Sequence, residues 1–460
     1  VNYTVNYEAP STMPFTSAIS LGCRVAVAGE TSDTWADIIM NSSGQLVHIH
    51  SVEQTADNRY IMTGAVPGSH AGYGEFYLIK LYNDGSLEWC RKFTRPYPWA
   101  LPRPRYAYIK VHQTVDGGYA MVYEKDGDPV AVTDIVLHKT DDRGNPLWIQ
   151  DLRPNIPLAY GPVTCPTDFQ QTADGGYIIV GITDYSGASS NPSWPYNAEI
   201  YVVKTDSNGE SPNGRLIKYG SNNYDAAFSI GQTTDGGYII GGFYYGASDQ
   251  EARIIKLKND LTDDWTQLYS GYSYVRTVQQ RRSGSGYIAL MYTMSGANVI
   301  PSIVTTDTFG NALSTITYAS NYASTDIAMA YYYSGYLGKA FPFINGSFTQ
   351  TADGGYVIAT NISTSTPEPY GQRDILLYKN DAMGGWTKSF VHRPTLTPTY
   401  MRDNEMSNDI EQTNDGGYII VGSKTFSLSP ASNPGGYVIK TDNSGDCPEA
   451  TEPTLIQLPL

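Results

Sequence analysis

Residues 171–181 read QTADGGYIIVG, and variants of this string recur along the whole chain. The tyrosines that end the DGGY part of seven such copies are separated by 49 to 69 residues. A unit of about 60 residues repeated in this way predicts a fold assembled from copies of one supersecondary motif. The copies stand at 57–60 and 283–287, in the altered forms DNRY and SGSGY, and intact at 116–119, 174–177, 235–238, 353–356 and 415–418.

Each copy is followed by a second phrase, as in DIVLHKTDDRGNPLW at 134–148. Alternating apolar runs bounded by Gly, Asp and Asn predict strands, and no stretch has a sustained helical period. Each unit then has four strands: A ends in QT, B is GYIIVG, C ends in KT, and D runs into a tryptophan. Asp-Gly-Gly between A and B, and T-D-x-x-G between C and D, supply residues that accept the positive φ of tight hairpins.

Two hairpins per unit, repeated, predict radial four-stranded antiparallel blades, which is the all-β β-propeller fold. Residues 18–48 follow the same strand order without the motif residues and are interpreted as a degenerate first unit. Eight blades are therefore predicted, and seven is the alternative if this stretch is a partial blade. The last unit has no D strand after Asp446, and the alternating segment VNYTVNYE at residues 1–8 is predicted to close the ring in that position.

Strand C of six units ends on a lysine, and equivalent positions in repeats share structural roles. We therefore expect these lysines to form ion pairs or to pack their aliphatic stems against the blades. The six are Lys80, Lys139, Lys204, Lys256, Lys379 and Lys440.

The repeats resemble secreted and cell-surface prokaryotic β-propeller repeat proteins built from QT-x-D-G-G-Y-[IV]-x-x-G followed by D-x-x-x-x-K-T-D-x-x-G-x-x-x-W. The resemblance covers residues 54–445 and, weakly, 18–50. It implies the propeller fold. Because the motif of this family is structural, the resemblance implies no catalytic residue.

Charge and hydropathy exclude several classes of partner. With 30 Lys and Arg against 45 Asp and Glu, the net charge is −15, and no basic run is present, so a nucleic-acid partner is not expected. No run of about 18 apolar residues occurs, so direct membrane insertion is not expected. The chain begins at Val1, as a cleaved secretory precursor would, and we expect an extracellular or cell-surface location after signal-peptide removal.

An extracellular location would make glycosylation and disulfides possible. The N-x-Ser/Thr sequons stand at Asn2, Asn41, Asn345 and Asn361. The cysteines, all of them disulfide candidates, are Cys23, Cys90, Cys165 and Cys447. Cys23 and Cys447 would lie on adjoining blades, where a disulfide would lock the ring, and buried thiols are the alternative.

Binding residues are expected on the long, irregular B–C and D–A connections, because loops on a rigid scaffold commonly carry function. Aromatic side chains there form a candidate platform for sugars or a protein partner, and loop packing is the alternative. They are Tyr97, Trp99, Trp194, Tyr196, Tyr331, Tyr332 and Tyr333.

No catalytic motif and no metal site is predicted. Neither G-x-S-x-G nor H-E-x-x-H occurs, and no cofactor is expected, with Ca²⁺ in the Asp-rich turns as the alternative. Paired carboxylates from different blades could still meet at the axis of the ring.

The expected domains are an N-terminal strand or arm at 1–17, a propeller at 18–446 and a C-terminal tail at 447–460. The tail ends in TLIQLPL, whose Ile456, Leu458 and Leu460 would line one side of a strand that a neighbouring subunit could accept.

These features favour a secreted, non-enzymatic structural or adhesive surface protein that assembles with itself into a filament or array. The alternatives are a monomeric carbohydrate- or protein-binding module and, less favoured, a glycan-active hydrolase or lyase. The expected partners are further copies of this chain and, alternatively, surface glycans or proteins.

Overall fold

The computed structural model describes residues 34–40, 47–66, 75–94, 109–126, 133–152, 163–184, 198–211, 215–217, 224–246, 250–295, 298–318, 347–364, 372–380, 386–392, 404–425, 434–447 and 454–457. Within these ranges the chain forms 29 strands and no helix. This part of the chain therefore contains no helix long and apolar enough to cross a membrane.

The strands form seven four-stranded antiparallel blades arranged as a β-propeller. The chain enters through β1 (Trp35–Met40). Blade 1 has β2 (His48–Gln54), β3 (Tyr60–Ala65), β4 (Glu75–Leu81) and β5 (Leu87–Thr94). Blade 2 has β6 (Lys110–Gln113), β7 (Tyr119–Asp126), β8 (Thr133–Thr140) and β9 (Pro146–Leu152). Blade 3 has β10 (Val163–Gln171), β11 (Tyr177–Asp184), β12 (Ala198–Thr205) and β13 (Arg215–Ile217).

The second half of the chain repeats this order. Blade 4 has β14 (Tyr224–Gln232), β15 (Tyr238–Tyr245), β16 (Gln250–Leu257) and β17 (Asp263–Tyr269). Blade 5 has β18 (Tyr274–Gln280), β19 (Tyr287–Ser295), β20 (Asn298–Thr306) and β21 (Ala312–Thr317). Blade 6 has β22 (Ser347–Gln350), β23 (Tyr356–Thr364), β24 (Gln372–Asn380) and β25 (Trp386–His392). Blade 7 has β26 (Asn404–Gln412), β27 (Tyr418–Thr425) and β28 (Pro434–Thr441), and β29 (Thr454–Gln457) follows.

The ring closes through β1, which pairs antiparallel with β28 and is the D strand of blade 7. The β29 strand then pairs in parallel with β1, with Ile456 opposite Ile39. The prediction that the last unit lacks its own D strand is therefore confirmed. The prediction that residues 1–8 fill that position is wrong, because β1 occupies it, and residues 1–33 lie outside the described residues.

The number of blades is seven, and the prediction of eight is wrong. Residues 18–48 are not a blade: 35–40 belong to blade 7, and His48 begins the A strand of blade 1. Trp35 has the contacts of a D-strand tryptophan. Its ring meets Tyr60 of the next blade edge to face at 5.7 Å, as Trp148 meets Tyr177 at 6.0 Å.

The Thr-x-Asp-Gly-Gly turn is held by its own aspartate, as blade 3 shows. Asp174 Oδ1 accepts hydrogen bonds from the Thr172 hydroxyl at 2.5 Å and from the Gly176 amide at 3.0 Å. The Lys204 ammonium lies 2.8 Å from the same carboxylate, which confirms the predicted ion pair. A Cβ on Gly176 would stand 2.1 Å from the Thr205 carbonyl oxygen, so only glycine fits there. The matching pairs are Lys80–Asp57, Lys139–Asp116, Lys256–Asp235, Lys379–Asp353 and Lys440–Asp415.

The glutamine that ends each A strand joins its blade to the preceding one. Its side-chain oxygen accepts a hydrogen bond from a backbone amide in the A–B turn of the preceding blade. The seven bonds close a ring around the propeller, so each blade is fixed against its neighbour near the axis. The acceptor–donor pairs are Gln54–Asn414, Gln113–Ala56, Gln171–Val115, Gln232–Ala173, Gln280–Thr234, Gln350–Arg282 and Gln412–Ala352.

Candidate functional site

The A strands are the innermost strands, and each contacts the A strands of the two adjoining blades. Their inner edges face the axis and, among the described residues, pair with a further strand only at Val163 (with Thr133 of β8) and Asn404 (with Arg373 of β24). Buried backbone amides need acceptors, so side chains of the neighbouring A strand accept from them. These bonds run from Gln54 N to Glu411 at 2.5 Å, Gln113 N to Glu53 at 3.0 Å, Val52 N to Asp409 at 3.4 Å and Ile230 N to Asp168 at 3.0 Å.

The acceptors and two basic side chains form what we call the axial cluster: Glu53, Lys110, His112, Asp168, Asp409 and Glu411. Lys110 Nζ lies 3.9 Å from a carboxylate oxygen of Asp168 and 3.9 Å from one of Asp409. His112 Nδ1 lies 2.9 Å from Glu53 Oε2. Four carboxylates from blades 1, 3 and 7 therefore lie around Lys110 and His112 of blade 2.

Two groups of the axial cluster, Glu411 and His112, have perturbed pKa values. Loss of solvation, followed by the charge of Glu53, raises the pKa of Glu411 to about 8, although the Gln54 amide opposes the rise. Desolvation lowers the pKa of His112, but the hydrogen bond to Glu53 and the charges of Glu53 and Asp168 raise it above its ordinary value. A carboxyl that stays protonated near neutral pH beside ionised carboxylates can supply a proton to a ligand.

The cluster remains open to solvent. The side chain of His112 is 36% exposed and that of Glu53 is 24% exposed, whereas Asp168 and Asp409 are at 16% and 13%. These fractions mean that a ligand in the axial channel could reach the carboxylates.

The predicted binding residues fall mostly outside the described residues. Only Ile456 lies within them, and its backbone pairs with Ile39 of the same chain. Of the sequons, only Asn361 is described, and its backbone pairs with Ile375 between β23 and β24. Outside lie Tyr97, Trp99, Trp194, Tyr196, Tyr331, Tyr332, Tyr333, Leu458, Leu460, Asn2, Asn41 and Asn345.

The cysteines divide in the same way. Cys90 lies on β5 of blade 1 and Cys165 on β10 of blade 3, and these two do not bond to each other. Burial raises the pKa of the Cys90 thiol to about 12, so it is not a reactive thiolate. Cys447 is buried in the core of blade 7, while Cys23 lies outside the described residues, so their pairing stays a prediction.

The Asp-rich turns are hairpin devices in the described part of the chain. Asp141 Oδ1 accepts from the backbone amides of Arg143 at 2.9 Å and Asn145 at 2.7 Å. No group of three His, Cys, Asp or Glu side chains among the described residues is arranged to hold a metal ion.

Sequence reasoning placed no residue of the axial cluster in a site. A signal was present, because the residue before the A-strand glutamine varies in charge while its neighbours are uniform. In blade order this axial position reads Glu53, His112, Gln170, Gly231, Gln279, Thr349 and Glu411. A structural role would favour one residue type in all seven units, so this variation marks the position.

No family model matches the chain, and no curated protein matches it. Among solved structures it is similar to the GH93 α-L-arabinofuranosidase of Fusarium graminearum with arabinobiose, at 11% identity and a TM-score of 0.41, covering 89% of this chain and 98% of that one. The Penicillium chrysogenum α-L-arabinanase gives 12% identity, a TM-score of 0.40 and coverage of 89% and 98%. Kuenenia stuttgartiensis hydrazine synthase gives 12% identity, a TM-score of 0.41 and coverage of 69% and 75%.

The prediction of a structural or adhesive surface protein that assembles with itself is wrong. The solved structures to which the chain is similar include arabinofuranosidases and an arabinanase. The tail strand that was expected to join a neighbouring subunit also pairs within its own chain, as β29 against β1.

Proposed function

We propose that this protein hydrolyses glycosidic bonds of a neutral glycan, with acid–base chemistry at the axial cluster. The observation that carries the proposal is the convergence of four carboxylates from three blades around Lys110 and His112, at partly exposed positions next to the axis. Pairs of carboxylic groups in different protonation states are the usual requirement for this reaction. A net charge of −15 disfavours an anionic substrate.

Glu411 is the proposed general acid. Its Oε2 accepts the Gln54 amide hydrogen bond, which leaves Oε1 to carry the proton. With a pKa of about 8, the carboxyl is protonated at neutral pH and can transfer its proton to the leaving-group oxygen as the C1–O bond breaks.

Asp409 is the proposed general base. It stands two residues before Glu411 on β26, and both accept amides of β2, so they lie on the same side of the strand. Their carboxylates bond to Val52 N and Gln54 N, which are two residues apart on β2, so the two carboxyl groups are separated by about 7 Å, which suits a pair with a water between them. The Lys110 ammonium, 3.9 Å away, compensates the negative charge of Asp409, which takes a proton from the water that attacks C1.

The test is hydrolysis of a panel of neutral polysaccharides and aryl glycosides that includes arabinan, xylan and cellulose. For the substrate that is cleaved, Glu411→Gln should lower kcat by about 100-fold or more, since general acid catalysis contributes that much. Asp409→Asn should lower it comparably. Glu210→Gln, in an exposed turn, is the matched control and should leave kcat unchanged. Failure to cleave any member of the panel, or full activity of Glu411→Gln, would contradict the proposal.

The pH dependence provides a second test. Because Glu411 must be protonated to act, the rate should fall as the pH rises through about 8. An acid whose pKa rises from 4.5 when unfolded to about 8 when folded makes folding less favourable as the pH rises between those values. The free energy of unfolding of Glu411→Gln should therefore decline less over this range than that of the wild type. Parallel curves for the two proteins would argue against the raised pKa.

A further inference from the structure

The axial position, which is the residue before the A-strand glutamine, carries a side chain in six blades. In blade 4 it is a glycine, Gly231. A Cβ on this glycine would meet only Gln170 Oε1 at 3.7 Å and Ile239 Cγ2 at 3.9 Å, both ordinary contacts. Apart from the two chain neighbours of Gly231, no other atom of the described residues lies within 4 Å of that Cβ position, so the space directly beside Gly231 is open. Its counterparts Glu53 and Glu411 stand across the ring, on blades 1 and 7.

Hydrogen-bond donors lie on the blades on either side of this gap. The side chain of Gln170 is exposed, and its Oε1 accepts from the Gln232 amide at 2.7 Å, so its NH₂ group is left as a donor. On blade 5, Gln279 Oε1 accepts from Gln350 Nε2 at 3.2 Å, so its NH₂ group is likewise left as a donor. Neither NH₂ group has a hydrogen-bond partner among the described residues.

A backbone amide adds a third donor. Gln280 N–H points to the inner edge of β18, as Val278 N–H does, because Arg281 N bonds across the hairpin to Gly286 O. Ser229 accepts from Val278 N at 2.9 Å, but Gly231 has no side chain to accept from Gln280 N. Within the described ranges no group accepts from this amide.

We propose that the gap at Gly231 is a subsite that seats a neutral, hydroxyl-rich sugar unit of the substrate, bound by the amide donors of Gln170, Gln279 and Gln280. Sugar hydroxyl oxygens accept such bonds, and uncharged donors recognise them without favouring an anion. This inference rests on the proposed hydrolase function and extends it: the sugar next to the scissile bond lies at blade 4, opposite the carboxylates of blades 7 and 1.

The test is Gly231→Gln, which places in the gap the side chain that blades 3 and 5 already carry there. Its oxygen can accept from Gln280 N, so we expect a free energy of unfolding equal to or above that of the wild type. Binding is measured by titration calorimetry with arabinotriose, xylotriose and cellotriose in the Glu411→Gln background, which removes turnover. The Kd of each trisaccharide that binds should rise about tenfold or more, since the donors are covered and the space is filled.

The matched control is Thr266→Gln, which puts the same side chain on the exposed outer strand β17 and should leave the Kd unchanged. An unchanged Kd in the Gly231→Gln protein, with its fold intact, would overturn the subsite, as would the absence of binding by all three sugars. Weaker trisaccharide binding without hydrolysis of any substrate would support the subsite and reject the hydrolase. Hydrolysis with kcat/KM unchanged by Gly231→Gln would support the hydrolase and reject the subsite.

Discussion

In the C–D turn of blade 4, the side chain of Leu261 fills the space that a tryptophan of the preceding blade fills at the C–D turn of blade 3. In blade 3 the C–D turn has Gly209 at φ 76°, and a Cβ there would lie 2.6 Å from the Trp148 ring that packs on it. The corresponding residue of blade 4 is Leu261 at φ 65°, a conformation that costs a leucine about 1 kcal/mol or more. The segment 210–223 that precedes blade 4 contains no tryptophan, and the Leu261 side chain is buried in that core instead.

Replacing Leu261 by glycine separates backbone strain from packing. Glycine relieves the positive φ, but removing a buried leucine side chain costs about 2–5 kcal/mol, so we expect a net loss of about 1–3 kcal/mol in the free energy of unfolding. Urea denaturation measures this difference. Asn58→Gly is the control, because Asn58 also has positive φ but is exposed; relief of the positive φ should offset loss of its hydrogen bond from Asn414, so the change should be near neutral. A Leu261→Gly protein as stable as the wild type would show that the side chain does not fill the tryptophan position.

At the level of elements, sequence predicted the hairpins well and misplaced one strand. The A–B and C–D turns follow from local chemistry: Asp174 bonds its own turn, and glycine is the residue that fits beside the strand C carbonyl. WADIIM at 35–40 was placed in a first blade because C and D strands share the same alternation. Trp35 lies 25 residues before Tyr60, within the 22 to 32 residues that separate other D-strand tryptophans from the next motif tyrosine, and this spacing identifies a D strand.

The lysine that supports each turn is a testable part of these hairpins. Lys256 is 2% exposed, and its Nζ lies 2.9 Å from Asp235 and 3.1 Å from the Leu257 carbonyl oxygen. Lys256→Met keeps the buried stem but removes both interactions. We expect a loss of about 1–2 kcal/mol in urea denaturation at pH 7, because Asp235 is itself largely exposed and keeps two other donors. Lys258→Met, at an exposed position, should have no effect.

The same variant predicts a change in acid stability. Burial raises the pKa of Asp235, but the Thr233 hydroxyl, Lys256 and the Gly237 amide together lower it to about 2. A depressed pKa stabilises the fold above the unfolded value of 3.8, and this contribution is lost as the pH falls from 3.8 toward 2. Between those values Lys256→Met should lose less stability than the wild type. An equal loss in the two proteins would mean that the lysine does not hold the carboxylate ionised.

At the scale of the molecule, the axial cluster could not be predicted from the repeat alone. Gln54 and Glu411, which bond at 2.5 Å, are 357 residues apart in sequence and meet because blade 7 adjoins blade 1. The repeat pattern gives the axial position in each blade, but which charges become neighbours depends on the number of blades and on where the ring closes. An eight-blade ring with another unit between blades 7 and 1 would have separated Glu411 from Glu53. The candidate site therefore lies at the closure of the ring.

Trp35→Ala should test whether closure by β1 holds this site together. Trp35 is 1% exposed and donates from Nε1 to the Asn83 carbonyl oxygen at 2.9 Å, so its loss should cost about 3–5 kcal/mol in urea denaturation. As blades 7 and 1 loosen, solvent should reach Glu411 and lower its pKa toward 4.5, which carboxyl ¹³C NMR can follow.

Trp265→Ala removes the equivalent contact between blades 4 and 5 and should destabilise the protein without shifting this titration. An unshifted Glu411 titration in a destabilised Trp35→Ala protein would contradict the idea that closure by β1 holds this site together.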